Sequence, residues 1–495
     1  MGRFISSKMT KYIRHRRTNR LFLSGIILLI AIQGAYSQSR REDIYSDYVL
    51  YQKRVVLEKD LRERIIGRNF SLDLDSNTED KFMSACWAVS QFLFSTPEVN
   101  HGFQTLFAGY DSISYDTKLA FLEAVYAVAP GQYTIPVREV LEKDTDPKLF
   151  SICSAYLYRD DTSTENSNSL KIRMAEKFPG YDTIPILAEL QNYLSYHTIK
   201  SREKIPALAS LFNYQQVTGK KIIYSLQRWD RNYPGLAIIQ YADGRFARNA
   251  DGKLQIFEQL ARSGPDLPYF ITNGSTPQGV YSIQGTEVSR TNFIGPTPNF
   301  QLLLPFENSW DRYFQLVPAT SAGTRGTSAA NSERPTNASD ASAGQSANPT
   351  ASQSAGQPEV TQSQPPPPID DSLRMYLELL PPIWRNYTPM MEAWSAGRIG
   401  RSEIIAHGTT IDPAYFKDKP FYPLTPTMGC LCAKELWNPT SGHLLVSEQF
   451  NLVQAFQSTP GNKGYLYVIN VDDQHRPVSR QEAEDWVRQW ETGKK

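Results

Sequence analysis

Apolar residues recur every three or four positions from residue 39 to about 205, as in Leu119, Phe121, Leu122, Val125, Tyr126 and Val128, with breaks at Pro130-Gly131 and Pro179-Gly180. That spacing places them on one face of a helix and predicts a helical region. From about Lys220 the period changes. Runs such as Lys221–Leu226, Gly235–Tyr241 and Gly279–Ile283 are rich in β-branched and aromatic residues, and turn formers such as Ala242-Asp243-Gly244 and Ala250-Asp251-Gly252 separate them. These predict strands joined as hairpins. Farther on, an aromatic stretch over Leu373–Ala396 predicts a helix, Glu403–Ala406 a strand that ends at His407, Tyr465–Val471 a late strand, and Arg480–Trp490 a terminal helix.

Within the helical region, Lys118–Ala129, Val137–Leu141 and a helix opened by Asp146-Pro147 resemble HEAT-like helix pairs, and a plain bundle fits equally well. Such pairs stack around a shared core and present a concave face, which suits a protein partner or a spacer better than chemistry. Between about Ala319 and Asp370 the chain is almost wholly Ser, Thr, Ala, Gly, Gln, Asn and Pro. A segment of that composition buries too little apolar surface to order itself, so a disordered insertion is expected over 319–370.

The first 37 residues carry seven Lys or Arg and no acid, then the apolar run Leu21–Ile32 and the small-residue pattern Ala35-Tyr36-Ser37. This is the form of a secretory signal peptide. The apolar run is shorter than the roughly 20 residues that span a bilayer. Export to the periplasm or cell envelope is therefore expected, with a membrane association only through this segment if it stays uncleaved. The remaining 45 basic and 51 acidic side chains give a net charge of about −6 and form no basic stripe with interleaved aromatics, so no nucleic-acid partner is expected. The expected organisation is a signal peptide over 1–37, a helical domain over 38–219 and a mainly-β domain over 220–495 interrupted by the insertion.

Four cysteines serve an exported chain of 495 residues, too few for a disulfide framework. Cys86 and Cys153 lie in apolar, helix-compatible contexts and read as buried thiols. Cys430 differs, because it follows Gly429 in the turn-rich segment Thr425-Pro426-Thr427-Met428-Gly429-Cys430-Leu431-Cys432. Some twenty residues earlier stands Ile405-Ala406-His407-Gly408-Thr409. A cysteine nucleophile needs its thiolate, and an imidazole supplies it by taking the proton. A glycine beside the cysteine lets backbone amides approach a carbonyl and stabilise its oxyanion.

The order and spacing of these segments resemble the L,D-transpeptidase (YkuD-type) signature, a His-Gly followed by a Ser/Thr-His-Gly-Cys turn. Thr276-Pro277-Gln278-Gly279-Val280-Tyr281-Ser282-Ile283 is similar to that family's strand-opening Thr-Pro-x-Gly element. The resemblance covers roughly residues 220–475. It implies a mainly-β catalytic fold, attack by Cys430 on the third-residue carbonyl of a peptidoglycan stem peptide, loss of the terminal D-amino acid, and transfer of the acyl group to an amine. It further implies His407 as general base and acid, and Gly429, Met428 and Thr427 in the oxyanion turn, with no metal or organic cofactor; Gly408, Thr409 and Tyr422, which adjoin these motifs in sequence, are the candidates to touch the substrate. Met428 stands where the family has a second His, and Cys432 where it has Arg or Asn. Cys432 is either a packed small side chain or a thiol able to resolve an oxidised Cys430. Sortases and papain-like endopeptidases use the same atoms, but with a longer His-to-Cys interval or the reverse order. The alternative from another class is a catalytically silent envelope scaffold that binds peptidoglycan while the helical domain holds a protein.

Overall fold

The computed structural model describes residues 40–196, 204–292, 294–316, 369–410 and 427–493. The leader expected at 1–37, nearly all of the insertion expected at 319–370, and Tyr422 lie outside the described residues. The described chain forms an N-terminal helical region and a sheet that closes into a barrel. Among the described residues no helix is long and apolar enough to cross a membrane.

The helical region comprises α1 (Tyr51–Asp60), continued by a π-helical stretch Leu61–Arg68, then α2 (Glu79–Phe92), α3 (Pro97–Ala108), α4 (Tyr115–Val128), α5 (Thr134–Lys143), α6 (Pro147–Asp160), α7 (Thr164–Lys177) and α8 (Pro185–Tyr196). Side chains define several of the starts. Asp146 accepts from the Lys148 and Leu149 amides ahead of Pro147, and Ser114 and Ser163 cap α4 and α7 in the same way. Helices α2, α4, α6 and α8 form a row in which each packs on the next, while α5 and α7 lie against that row. Residues Phe121–Tyr126 of α4 and Leu149–Tyr158 of α6 are buried on every side, as expected for the centre of such a stack.

The sheet region begins with α9 (Leu208–Thr218) and contains β1 (Lys221–Arg228), β2 (Gly235–Gln240), β3 (Phe257–Leu260), β4 (Gly279–Glu287) and β5 (Asn299–Leu303). After the short α10 (Trp310–Tyr313) come α11 (Ile369–Glu378), α12 (Pro382–Arg385), α13 (Glu392–Ile399), β6 (Ile405–Thr410), β7 (Leu431–Trp437), β8 (Leu444–Ser447), α14 (Glu448–Gln457), β9 (Gly464–Asp472) and α15 (Arg480–Gly493). The strand order is β3-β2-β1-β9-β4-β5-β6-β7-β8, with β3 pairing back onto β7 through Gln259↔Ala433 and Leu260↔Cys432. That pairing closes the ring and leaves β8 on the outer half of β7. The pairs β1–β9 and β6–β7 are parallel.

Every residue of β1 is buried, because both faces of the sheet are covered. Ile222, Tyr224 and Leu226 join a core shared with α9 and α15, whereas Ile223 faces a second core that contains Leu452, Val453 and Phe456 of α14. Helix α14 touches β2, β3, β5, β6 and β7, so it plugs the ring, and Ser447 caps its first turn.

Three expectations change. The helix expected over Leu373–Ala396 is three short α-helices and the 3-10 turn Thr388–Met391, since Pro381, Pro382 and Pro389 interrupt the helical bonding. The strand expected to end at His407 instead runs from Ile405 to Thr410, with His407 inside it. Finally, α9 precedes residue 219 but packs on the barrel, while Leu267, Phe270 and Ile271 from the barrel half belong to the helical core.

Candidate functional site

The turn before β7 is built around a backbone that only glycine tolerates. Gly429 has φ +106°, and a Cβ there would lie 2.2 Å from Arg401 Nη2 and 2.5 Å from the Gly274 carbonyl oxygen. Thr276, from the segment that opens β4, donates its hydroxyl to the Gly429 carbonyl at 2.8 Å. In a trans peptide the carbonyl and the next amide point opposite ways, so the Cys430 N–H is turned away from Thr276. Thr427 is buried and donates to the Arg262 carbonyl at 3.0 Å, while its own carbonyl accepts from the Gly264 amide at 2.8 Å. Met428 is 50% exposed at the apex, so no side chain there contributes a buried polar group.

Cys430 is partly buried, whereas Cys86, Cys153 and Cys432 are buried outright. Its Sγ lies 3.7 Å from the Glu403 carbonyl oxygen. Burial raises the Cys430 thiol above its usual pKa, and the Ile405 amide and the Arg401 guanidinium oppose that rise. Glu403 itself has φ +59°, a left-handed conformation unusual for a glutamate, and its amide is held by Glu307 at 2.7 Å.

Arg401 is a site residue that the sequence reading missed. It is 6% exposed, donates to the carbonyls of Tyr269, Gly274 (2.9 Å) and Ser275 (3.0 Å), and forms no ion pair among the described residues. Burial lowers its pKa to about 10, with the Tyr281 hydroxyl and the Cys430 thiol as the groups that favour its charge. A buried cation without a carboxylate stabilises a nearby anion strongly, and Cys430 is placed to become that anion. No local pattern marks Arg401, which follows the Gly400 that ends α13 and precedes a strand like many surface arginines.

His407 is 2% exposed, and its Nδ1 lies 2.7 Å from the Gly408 carbonyl oxygen. A carbonyl only accepts, so Nδ1 carries the proton and Nε2 holds the free lone pair. Burial lowers the imidazole to about pKa 4, which keeps it neutral at pH 7. The parallel register pairs His407 with Cys432, two residues beyond Cys430. The structure thus places His407 on the strand beside the one that Cys430 precedes and forms no hydrogen bond between them; His407 Nδ1 lies against the Gly408 carbonyl and Cys430 Sγ against that of Glu403.

Gly408 leaves room for the Glu435 carboxylate, which a Cβ there would displace. Glu435 is buried, accepts from Ser447 (2.7 Å) and Trp437 (3.2 Å), and has its pKa raised to about 7 by burial. Thr409 is also buried, and its hydroxyl has no partner among the described residues. Gly408 and Thr409 therefore support the strand rather than line an open surface. Trp384 is fully buried with its indole N–H on Ser210, and the His475 ring sits 2.8 Å from Asp230.

The segment that Arg401 grips is anchored in the helical region. Asn273 donates to Glu123 of α4 at 3.0 Å, Lys148 of α6 donates to Thr272 at 3.0 Å, and Tyr269 donates to Glu189 of α8. The helical stack thereby fixes the carbonyls that hold Arg401, and through Arg401 it supports the Cys430 turn. No family model, curated protein or solved structure matches the chain.

Proposed function

We propose that the protein is an L,D-transpeptidase-type acyltransferase of the cell envelope that uses Cys430 on peptidoglycan stem peptides. One observation carries this reading: segments separated by about 150 residues of sequence meet at one turn, where Thr276 holds Gly429 and β7 pairs with the strand of His407. These are the same three segments whose order resembles the family signature. A packing role for the cysteine alone gives no reason for the glycine-only backbone before it or for a buried arginine without a carboxylate.

In this reading His407 Nε2 takes the thiol proton as the sulfur attacks the third-residue carbonyl of a stem tetrapeptide. Arg401 and the Ile405 amide stabilise the developing thiolate, and the Cys430 N–H, turned away from Thr276, is the donor for the oxyanion. Collapse of the tetrahedral adduct breaks the C–N bond, and the protonated imidazole gives its proton to the leaving D-amino acid. An amine from a second stem then attacks the thioester carbonyl and gives its proton to His407 Nε2, the C–S bond breaks, and Cys430 leaves as a thiolate that takes the proton back. No metal or organic cofactor enters the scheme. The helical region, which anchors the loop under Arg401, also remains the candidate surface for a protein partner.

The two-residue offset of His407 from Cys430 and the lack of a hydrogen bond between them favour a second reading, a catalytically silent envelope scaffold that binds peptidoglycan. Incubation of the protein with disaccharide-tetrapeptides distinguishes the two. Release of the terminal D-amino acid or formation of cross-linked dimers, lost in Cys430→Ala, is expected; intact substrate with undiminished binding would establish the scaffold.

A further inference from the structure

A cavity of about 330 Å³ lies between the helical stack and the barrel, bounded on one side by Tyr126, Arg159 and Glu189 and on the other by Arg231, Glu392 and Thr276. Its four acids are already engaged. Glu392 accepts from the Gln278 amide (2.8 Å) and side chain (2.9 Å), Glu189 from the Tyr269 hydroxyl, Asp266 from Ser275 (3.2 Å), and Asp230 from His475 (2.8 Å) and the Asn232 amide (3.0 Å). Its two guanidiniums are not matched in the same way. Arg231 is 9% exposed and donates to the Ala261 carbonyl at 3.2 Å; Glu392 and Asp266 lie near enough to favour its charge, but no carboxylate forms an ion pair with it among the described residues. Arg159 donates to the Tyr126 carbonyl at 3.0 Å and lies 4.9 Å from the centre of the Tyr126 ring, again without an ion pair.

A guanidinium buried to this degree loses hydration that one carbonyl does not replace, and its fork of donors suits a carboxylate. Around it the lining includes Tyr126, Tyr193, Trp229 and Tyr269. We propose that this cavity binds a small carboxylate with an aromatic or apolar body, its carboxylate on Arg231 and its body among the tyrosines. The site is separate from Cys430 and does not depend on acyl transfer there. Its floor includes Ser275 and Thr276, the carbonyl that Arg401 grips and the hydroxyl that holds Gly429. An occupant therefore touches the segment that supports the cysteine turn.

The test uses 4-hydroxyphenylacetate and its neutral amide as probes, titrated calorimetrically into the full-length protein and into Arg231→Gln, Arg159→Gln and Cys430→Ala. The acid is expected to bind about tenfold more tightly than the amide, with that preference lost in Arg231→Gln, reduced in Arg159→Gln and kept in Cys430→Ala. Thermal unfolding confirms that each variant is folded, and the Arg159 variant, at the exposed end of α6, carries the comparison if the Arg231 variant does not fold. Equal affinity for acid and amide, no binding by the folded parent, or an unchanged preference in both arginine variants would overturn the proposal.

Discussion

At the scale of residues, the site rests on two kinds of constraint, space and charge. Gly429 has no room for a methyl group, so Gly429→Ala is expected to lower unfolding stability by roughly 2–3 kcal/mol in denaturant titrations, from steric overlap combined with a disfavoured φ. Arg401 supplies charge. Arg401→Gln is expected to move the pH midpoint of Cys430 alkylation by iodoacetamide upward and to slow acyl transfer by about 10²-fold, whereas an unchanged alkylation profile would remove Arg401 from the account. Because the other three thiols are buried, alkylation reports on Cys430. Cys430, His407 and Gly429 were legible in the sequence, since a thiol, an imidazole and a glycine carry their chemistry in their identity. Arg401 was not, because its role comes from carbonyls more than 120 residues away.

At the scale of elements, the hydroxyl of Thr276 joins the opening of β4 to the turn that opens β7. Thr276→Val keeps shape and removes the donor, so it is expected to cost about 1 kcal/mol of stability and to reduce turnover about tenfold with little change in KM. Equal losses in Thr276→Val and Thr276→Ser would count against the hydrogen bond, since serine retains it. Periodicity revealed α4, α5 and α6 close to their observed bounds because caps and proline breaks punctuate them. It did not reveal which core each helix joins: α9 follows α8 in the chain and yet completes the barrel. The loop through Leu267, Phe270 and Ile271 was equally hidden, as three apolar residues between turn formers do not announce that they cross into another core.

At the scale of the molecule, buried titratable groups set how stability depends on pH. Glu123, Glu392 and Glu435 are raised to about 7 by burial, so in the folded protein they hold protons that the unfolded chain releases near pH 4.5. Their contribution is fully present below about pH 4.5 and is lost as pH rises toward 7. His407, lowered to about 4, acts in the opposite sense, since its contribution is present above the unfolded histidine value near 6.5 and is lost on acidification toward 4. Three carboxyls outweigh one imidazole. Urea denaturation is expected to show greater stability at pH 5 than at pH 7.5, by on the order of a few kcal/mol, and Glu435→Gln is expected to flatten that dependence; greater stability at pH 7.5 would contradict the burial of these carboxyls.

The union of helical stack and barrel also ties the N-terminal region to the proposed site, because Glu123, Lys148 and Glu189 hold the loop under Arg401. All of this converges on the thiol of Cys430. Intact-protein mass spectrometry after brief mixing with a disaccharide-tetrapeptide tests it most directly. The account predicts a protein mass increased by that of the donor less the departing D-amino acid, located on Cys430 and absent in Cys430→Ala. Binding of the same donor with no covalent adduct would contradict it.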